Sequence, residues 1–388
     1  MSGLARIWLL VILVLSACGS NETTHPVKLG AVYNLSGGQA SLDQPSWNGA
    51  QLAAAQINAA GGLLDRPLSL LVADGKTDTT VLAAASARLL DQNVSALFGL
   101  SDTNAVLAAA PPAAARKTLF LTAGATSPKL PDQVPIYLYL ACFGDNDQAA
   151  AGAEYARETL AAGTAYVLFD ETSDYTMLLA QYFAQSFAAQ AGVVVSMAEY
   201  AGPAGAADLS AQIAALKAIG TLPDMLYIAA QPDDVATIVT QFRNADIAQP
   251  IVGGDSYDTV SLLALGDLAN DVYYTTHALL VADSPDANVR QFVADYQAAY
   301  GHPPENAFAG LGYDTVMLLA DTVRRAGRAT RPAILATLPS TSDFHGVTGS
   351  ITYDGDSHIP LKTVSVVRVA GGERQLAAEL IPSHVPPP

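Results

Sequence analysis

The 388 residues carry 19 Lys and Arg against 36 Asp and Glu, a formal net charge of −17, and 51% of them are hydrophobic. A surface that acidic repels nucleic acid and anionic lipid head groups, so neither is expected as a direct partner. Cys18 and Cys142 are too few for a disulfide framework, and the apolar content exceeds what one ordinary core absorbs, which predicts two domains.

At the start of the chain, Arg6 precedes the apolar run Ile7 to Leu15, which ends in Leu15-Ser16-Ala17-Cys18. The run is too short to span a bilayer and reads as a signal peptide over residues 1–17. Leu-Ser-Ala-Cys resembles the bacterial lipoprotein signal, in which the cysteine is lipidated and heads the mature chain. An ordinary cleaved signal would export the domain equally. Residues 18–26 read as a flexible tether.

Val27 to Tyr33 is a short buried strand, followed by the glycine loop Ser36-Gly37-Gly38. Residues 48–58 hold strong helix formers at helical spacing, stopped by Gly61-Gly62. Strands at 67–73 and 94–99 flank a helix at 80–91, and Ser101-Asp102-Thr103-Asn104 forms an N-cap cluster before an alanine-rich helix. The apolar strand Leu119-Phe120-Leu121 then runs into Thr122-Ala123-Gly124-Ala125-Thr126-Ser127-Pro128. A strand that ends in small hydroxyl residues suits the crevice at the carboxyl ends of an open α/β sheet, although any strand-to-helix connection can have this composition.

A second series follows the polar segment 144–148: helix 148–161, strand 165–169, the acidic loop Asp170 to Tyr175 opening another helix, strand 193–198, helix 208–218, strand 225–229, helix 233–244 and strand 250–253. The chain crosses back through Val272 to Thr276, carries helices at 286–300 and 306–326, and ends in an expected hairpin of 349–353 with 363–367 around Asp354-Gly355-Asp356. The repeated strand-helix alternation predicts parallel sheets covered on both faces.

Several stretches carry a family resemblance: Gly49 to Ala53, Ile57-Asn58-Ala59-Ala60-Gly61-Gly62, Ala125-Thr126-Ser127-Pro128, Asp174-Tyr175, Val252-Gly253-Gly254-Asp255 and Phe344-His345-Gly346-Val347-Thr348-Gly349. In order and spacing the chain is similar to the leucine/isoleucine/valine-binding-protein family, type I periplasmic solute receptors of ABC importers, from about residue 27 to 378. The resemblance implies an α/β fold of two doubly wound parallel-sheet lobes joined by three hinge crossings, closing on a ligand. The implied lobes are 27–144 with 275–353, and 145–274 with 354–381. Together with the lipoprotein-like signal, it implies a lipid-tethered receptor, expected to act as a monomer, that captures an amino acid or close analogue and hands it to a permease without any cofactor.

The resemblance further implies roles for particular residues. Thr103 at a helix start, with Gly124 and Thr126, matches the hydroxyls and N–H groups that hold an α-carboxylate, and helix N-termini suit an anion. Asp255 matches the ammonium-binding acid, Tyr175 an aromatic lying over the ligand, and Phe308 and Leu42, the latter in the first glycine loop, the walls of the side-chain pocket. Bland readings stand beside these: Asp255 capping a helix from Thr259 onward, and Tyr175 and Phe308 as core packing. Two positions depart from the family. Asp102-Thr103 replaces a pair of serines, so Asp102 either caps the helix or signals a less anionic ligand; Gln231 replaces a tyrosine, and an amide there could bond a polar side chain.

Enzymatic motifs are missing: the sequence has no Gly-x-Ser-x-Gly, no phosphate-binding Gly-x-x-x-x-Gly-Lys-Ser/Thr and no His-Glu-x-x-His. The six histidines are scattered, and the acidic loop 170–174 lacks the glycine and terminal glutamate of a calcium loop. The alternative function is a ligand-sensing domain of the same fold, for urea, short amides or aromatic acids.

Overall fold

A computed structural model describes residues 25–388 except Asp356, so the expected signal peptide, Cys18 and most of the tether lie outside the described residues. In chain order the first lobe runs β1 (Val27–Tyr33), α1 (Ala40–Ala59), β2 (Leu68–Asp74), α2 (Thr79–Asp91), β3 (Leu97–Gly99), α3 (Thr103–Ala115), β4 (Phe120–Thr122), α4 (Leu130–Gln133) and β5 (Leu138–Leu140). Its sheet has the order β2-β1-β3-β4-β5, parallel throughout. β1 and β3 to β5 are buried almost completely because helices cover both faces, which is why they read as continuous apolar runs.

The second lobe contains α5 (Asp145–Glu158), β6 (Thr164–Asp170), α6 (Asp174–Ala189), β7 (Val193–Tyr200), α7 (Ser210–Ala218), β8 (Met225–Ala229), α8 (Pro232–Asn244), β9 (Ile251–Gly253), a 3₁₀ turn at Asp255–Tyr257, α9 (Val260–Leu263) and β10 (Val272–Thr276). The chain then returns to the first lobe as α10 (Ala287–Tyr300), α11 (Ala307–Ala326), α12 (Arg331–Thr337), β11 (Phe344–Gly346) and β12 (Gly349–Ile351), and re-enters the second as β13 (Val364–Ala370) and β14 (Glu373–Leu380). The second sheet has the order β14-β13-β10-β9-β8-β6-β7, with the parallel strands at one side and an antiparallel edge formed by β13 and β14. The chain thus passes between the lobes three times: after β5, after β10 and after β12.

The expected hairpin of 349–353 with 363–367 does not form. β12 pairs with β11, and β13 pairs with β10 on one side and β14 on the other. Val364, Val366, Val367 and Val369 are all buried, and only a place inside a sheet covers such a strand on both faces. The Asp-Gly turn instead lies on the third crossing, where a lone bridge joins Thr352 and Leu361. The helix expected at 48–58 begins eight residues earlier, so Leu42 sits in the first turn of α1 rather than in the glycine loop. Pro45 lies inside that helix, and the Ser41 carbonyl that its missing N–H would leave free accepts from Asn306 Nδ2 at 3.0 Å.

That bond is part of a close crossing of α1 and α11. A Cβ on Gly49 would collide with the Ala309 carbonyl, and one on Gly312 with the Ser46 carbonyl, so bare glycines bring the two backbones together. At the head of α11, Asp258 ties the lobes. Its Oδ2 accepts from the Ala307 N–H (2.9 Å) and the Thr276 hydroxyl (3.0 Å), while Oδ1 accepts from the Tyr274 hydroxyl (3.1 Å) and ion-pairs with Arg374 (3.1 Å).

Candidate ligand-binding cleft

The loops at the carboxyl ends of strands from both sheets meet around one small pocket, the location expected for a ligand in doubly wound sheets. Ser101 and Asp102 follow β3, Tyr175 follows β6, Gln231 and Pro232 follow β8, and Asp255 and Ser256 follow β9. Gln39 and Leu42 from the start of α1, and Phe308 from the start of α11, complete the lining. The inner pocket measures about 10 Å³, roughly the space one water needs. It communicates through Gln39, Asp102 and Gln231 with a wider mouth of about 320 Å³ between the lobes. Between the two, Gln39 Nε2 donates to Gln231 Oε1 (2.7 Å), and Gln231 Nε2 donates to the Ser173 hydroxyl (2.6 Å). The lobes are therefore drawn together over the inner pocket.

Asp255 is 3% exposed and is held from three elements. Its Oδ1 accepts from the Tyr175 hydroxyl (2.8 Å) and Gln148 Nε2 (3.1 Å), and Oδ2 lies 3.1 Å from His277 Nε2. Thr259, not Asp255, caps the helix that follows, accepting from the Leu262 N–H. Gln148, at the head of α5, also donates to Asp145 Oδ1 (2.9 Å), and its Oε1 accepts from the Asp255 N–H (3.1 Å) and the Thr275 hydroxyl (2.9 Å).

Burial dominates the electrostatics. It pushes the Asp145 carboxyl up to about 8, with the nearby charge of Asp255 adding to the effect, so Asp145 is largely protonated at neutral pH. Burial likewise raises Asp43 to about 7, shifts Asp102 upward and holds the Tyr175 hydroxyl well above its ordinary value. His277 is shifted the other way, downward, because burial penalises its charged form. Neither chamber is lined by Lys or Arg, whereas Asp102 and Asp255 both line the inner one.

Of the residues singled out from sequence, Leu42, Tyr175, Gln231, Asp255 and Phe308 meet at the inner pocket. Thr103, Gly124 and Thr126 do not line it. The Gly124 N–H donates to the Leu100 carbonyl (3.1 Å), and the Phe308 ring and Ser101 hydroxyl press against its Cα side. The Thr126 carbonyl accepts from the Asp145 N–H (2.6 Å) on the first crossing. Thr103 opens α3 and is buried with its hydroxyl unpartnered, as is that of Ser127. Asp102 caps α3 by accepting from the Ala105 N–H (2.8 Å), the first of its two sequence readings, and its carboxyl still reaches the pocket.

The sequence reading missed Gln39, Gln148, Ser256 and His277. Gln148 lay inside an expected helix, and His277 was dismissed with the other scattered histidines. The usable signal was position: His277 directly follows the fully buried strand β10, at the carboxyl end where the crevice lies. Among the described residues no group of His, Cys, Asp and Glu is arranged to hold a metal ion.

Two doubly wound lobes meeting around a pocket that both of them line define a hinged solute receptor. The chain belongs to the periplasmic binding protein family, whose model matches residues 26–373. The Leu/Ile/Val-binding protein BraC3 of Rhizobium johnstonii is 24% identical over 348 residues, which cover 89% of this chain and 92% of that one. Among solved structures, the branched-chain amino acid transporter substrate binding protein LivJ of Streptococcus pneumoniae, in complex with isoleucine, superposes with a TM-score of 0.83 at 28% identity, covering 91% of this chain and 98% of its own. A solute binding protein of an ABC transporter from R. palustris, in complex with benzoate, superposes at 0.81 with 19% identity, covering 92% and 97%, and supports the fold alone. By family the chain is thus a solute-binding protein of the periplasmic type. Among the described residues no helix is long and apolar enough to cross a membrane.

Proposed function

We propose that the protein captures an α-amino acid, or a close amide or zwitterion analogue, in the interlobe cleft and delivers it to the permease of an ABC importer. Asp255 carries this assignment: a carboxylate oriented by three side-chain donors at the edge of a pocket without any basic residue is a receptor for an amine. The acid end of the ligand is assigned to the opposite wall, where Ser101 lines the pocket and the Thr103 hydroxyl at the head of α3 lacks a partner. Tyr175 would lie over the ligand, Leu42 and Phe308 would wall its side chain, and Gln231 would offer an amide. The chain names of its relatives, Leu/Ile/Val-binding and amino acid binding, agree with this reading.

A ligand-sensing role for urea, short amides or aromatic acids is the alternative. Against it, an acid without an amine would face Asp102 and Asp255 with no cation to offset them. Thermal melting against the common amino acids, urea, acetamide and benzoate decides the matter. An amino acid at a hundred times its dissociation constant is expected to stabilise by about 2.7 kcal/mol and raise the midpoint by several degrees. A shift with benzoate or urea alone would sink the assignment. The same reading has Cys18 lipidated and the protein tethered outside the cytoplasmic membrane, so the full chain is expected to incorporate labelled palmitate and a Cys18→Ser chain is not.

A further inference from the structure

His277 follows β10 on the second crossing and is 2% exposed. Its ring stacks on Phe143 of the first crossing (centroids 4.0 Å apart, planes at 22°) and meets the edge of Phe308, a lining residue of the pocket, at 5.6 Å. Nε2 contacts Asp255 Oδ2 at 3.1 Å, while Nδ1 is buried without a partner. A carboxylate oxygen only accepts, so a neutral imidazole here must carry its proton on Nε2 and leave Nδ1 as a bare lone pair.

A carboxylate has about four lone-pair sites. On Asp255, Tyr175 and Gln148 fill both sites of Oδ1, and His277 fills one of Oδ2. One acceptor site is left, on Oδ2, on the same oxygen that His277 holds. We propose that His277 is a positioning residue for ligand recognition: its Nε2–H turns the remaining Asp255 lone pair toward the ligand's amine, and the amine is accepted only while the imidazole is neutral. A protonated imidazole would put a second cation on the oxygen the amine needs, so His277 protonation and amine binding exclude one another. This inference rests on the assignment of Asp255 as the amine-binding acid.

The charged and titratable groups around the ring are Asp255 and Asp258 from the segment after β9 and Lys362 from the third crossing, with Asp145 beyond them beside Asp255. Burial lowers the imidazole's pKa below its ordinary 6.5, so the switch to the charged form comes only on acidification below that value. Asp145 and Asp102 also titrate, which makes the comparison between parent and variant, rather than the parent's profile alone, the informative one.

The experiment is titration calorimetry of the whole protein between pH 7.5 and 5, with the amino acid that gives the largest melting shift as probe. The parent is expected to lose affinity by up to about tenfold per pH unit once His277 protonates, with protons released on binding in that range. His277→Gln retains an amide donor without the titration. It is expected to bind within about threefold of the parent at pH 7.5 and to lack that component of the acid loss. His277→Phe keeps the ring stacking on Phe143 and Phe308 and drops the donor, and is expected to bind at least about tenfold more weakly at pH 7.5, with the gap to the parent closing on acidification, while melting near the parent. Identical pH profiles for the parent and His277→Gln, or parental affinity in His277→Phe, would overturn the proposal and leave the amino acid assignment standing. A parent that binds no amine at pH 7.5 overturns both.

Discussion

Gln148 makes four hydrogen bonds with one amide, two given and two received, and so connects both buried acids of the hinge to the strand beside them. With its donors spent on Asp145 and Asp255 and its oxygen on the Asp255 N–H and the Thr275 hydroxyl, it has no spare capacity to meet a ligand; its part in the proposed site is to aim Asp255. Asp255→Asn tests that division of labour. An asparagine oxygen can still accept from Tyr175 and Gln148, and its amide can donate to His277 Nε2 if the ring moves its proton to Nδ1, so the fold is expected to survive. The ligand's amine, having lost a buried counter-charge worth about 3–5 kcal/mol, is expected to bind at least a hundredfold more weakly by calorimetry. Retention within tenfold would remove Asp255 from the site. The place of Asp255 and Tyr175 at the pocket could be read from the sequence because each follows a strand and stands in a distinctive local motif. That of Gln148 and His277 beside Asp255 could not, because what brings them there is contact between segments far apart in the chain.

α1 and α11 show why glycines deserve separate treatment at the level of elements. In an exposed helix Gly→Ala is favourable by about 1 kcal/mol. At Gly312 the sign reverses, since the new methyl meets the Ser46 carbonyl and the helices must part. Gly312→Ala is expected to cost about 1–3 kcal/mol in urea unfolding, and an unchanged or raised midpoint would mean the helices are not in that contact. The parallel strands and their helices could be read from sequence because burial on both faces leaves long apolar runs. The terminal strands could not. The local Asp-Gly signal suggested a hairpin, while β13 in fact pairs with β10 and with β14, a polar, half-exposed edge strand whose pairing slips at Val366 and Val367. Leu42 was assigned to a loop because Pro45 and the polar residues around it hide a helix that Asn306 completes from the other end of the chain.

Across the whole molecule, buried carboxyls make stability depend on pH in an unusual direction. Asp43, at about 7, and Asp145, at about 8, hold their protons more tightly in the fold than in the unfolded chain, where their value is 3.8. Their contribution is fully present below that value and is lost as pH rises through 7 and 8. Lowered His277 acts in the opposite sense, but only below about 6.5, where the unfolded chain begins to take up its proton. The melting temperature of the ligand-free protein is therefore expected to rise as pH falls from about 8.5 to 6.5, helped by easing of the self-repulsion of a chain at −17. Asp43→Asn, which keeps an acceptor for the Asn34 N–H (2.7 Å), should flatten that slope. A midpoint that stays level or drops on acidification would show that these carboxyls are ionised in the fold.

Asp258 grips the head of α11 and the end of β10 with a single oxygen, and that sets how the halves can part. Set among the three chain crossings, such a tie resists sliding and leaves swivelling as the motion open to the halves, so it would work as an axle. If the halves open about it, displacement grows with distance: the Gln39–Gln231 latch at the mouth would travel far, while the Asp255 corner near the axle would scarcely shift, and a solute would meet a nearly finished cradle before the door swings shut.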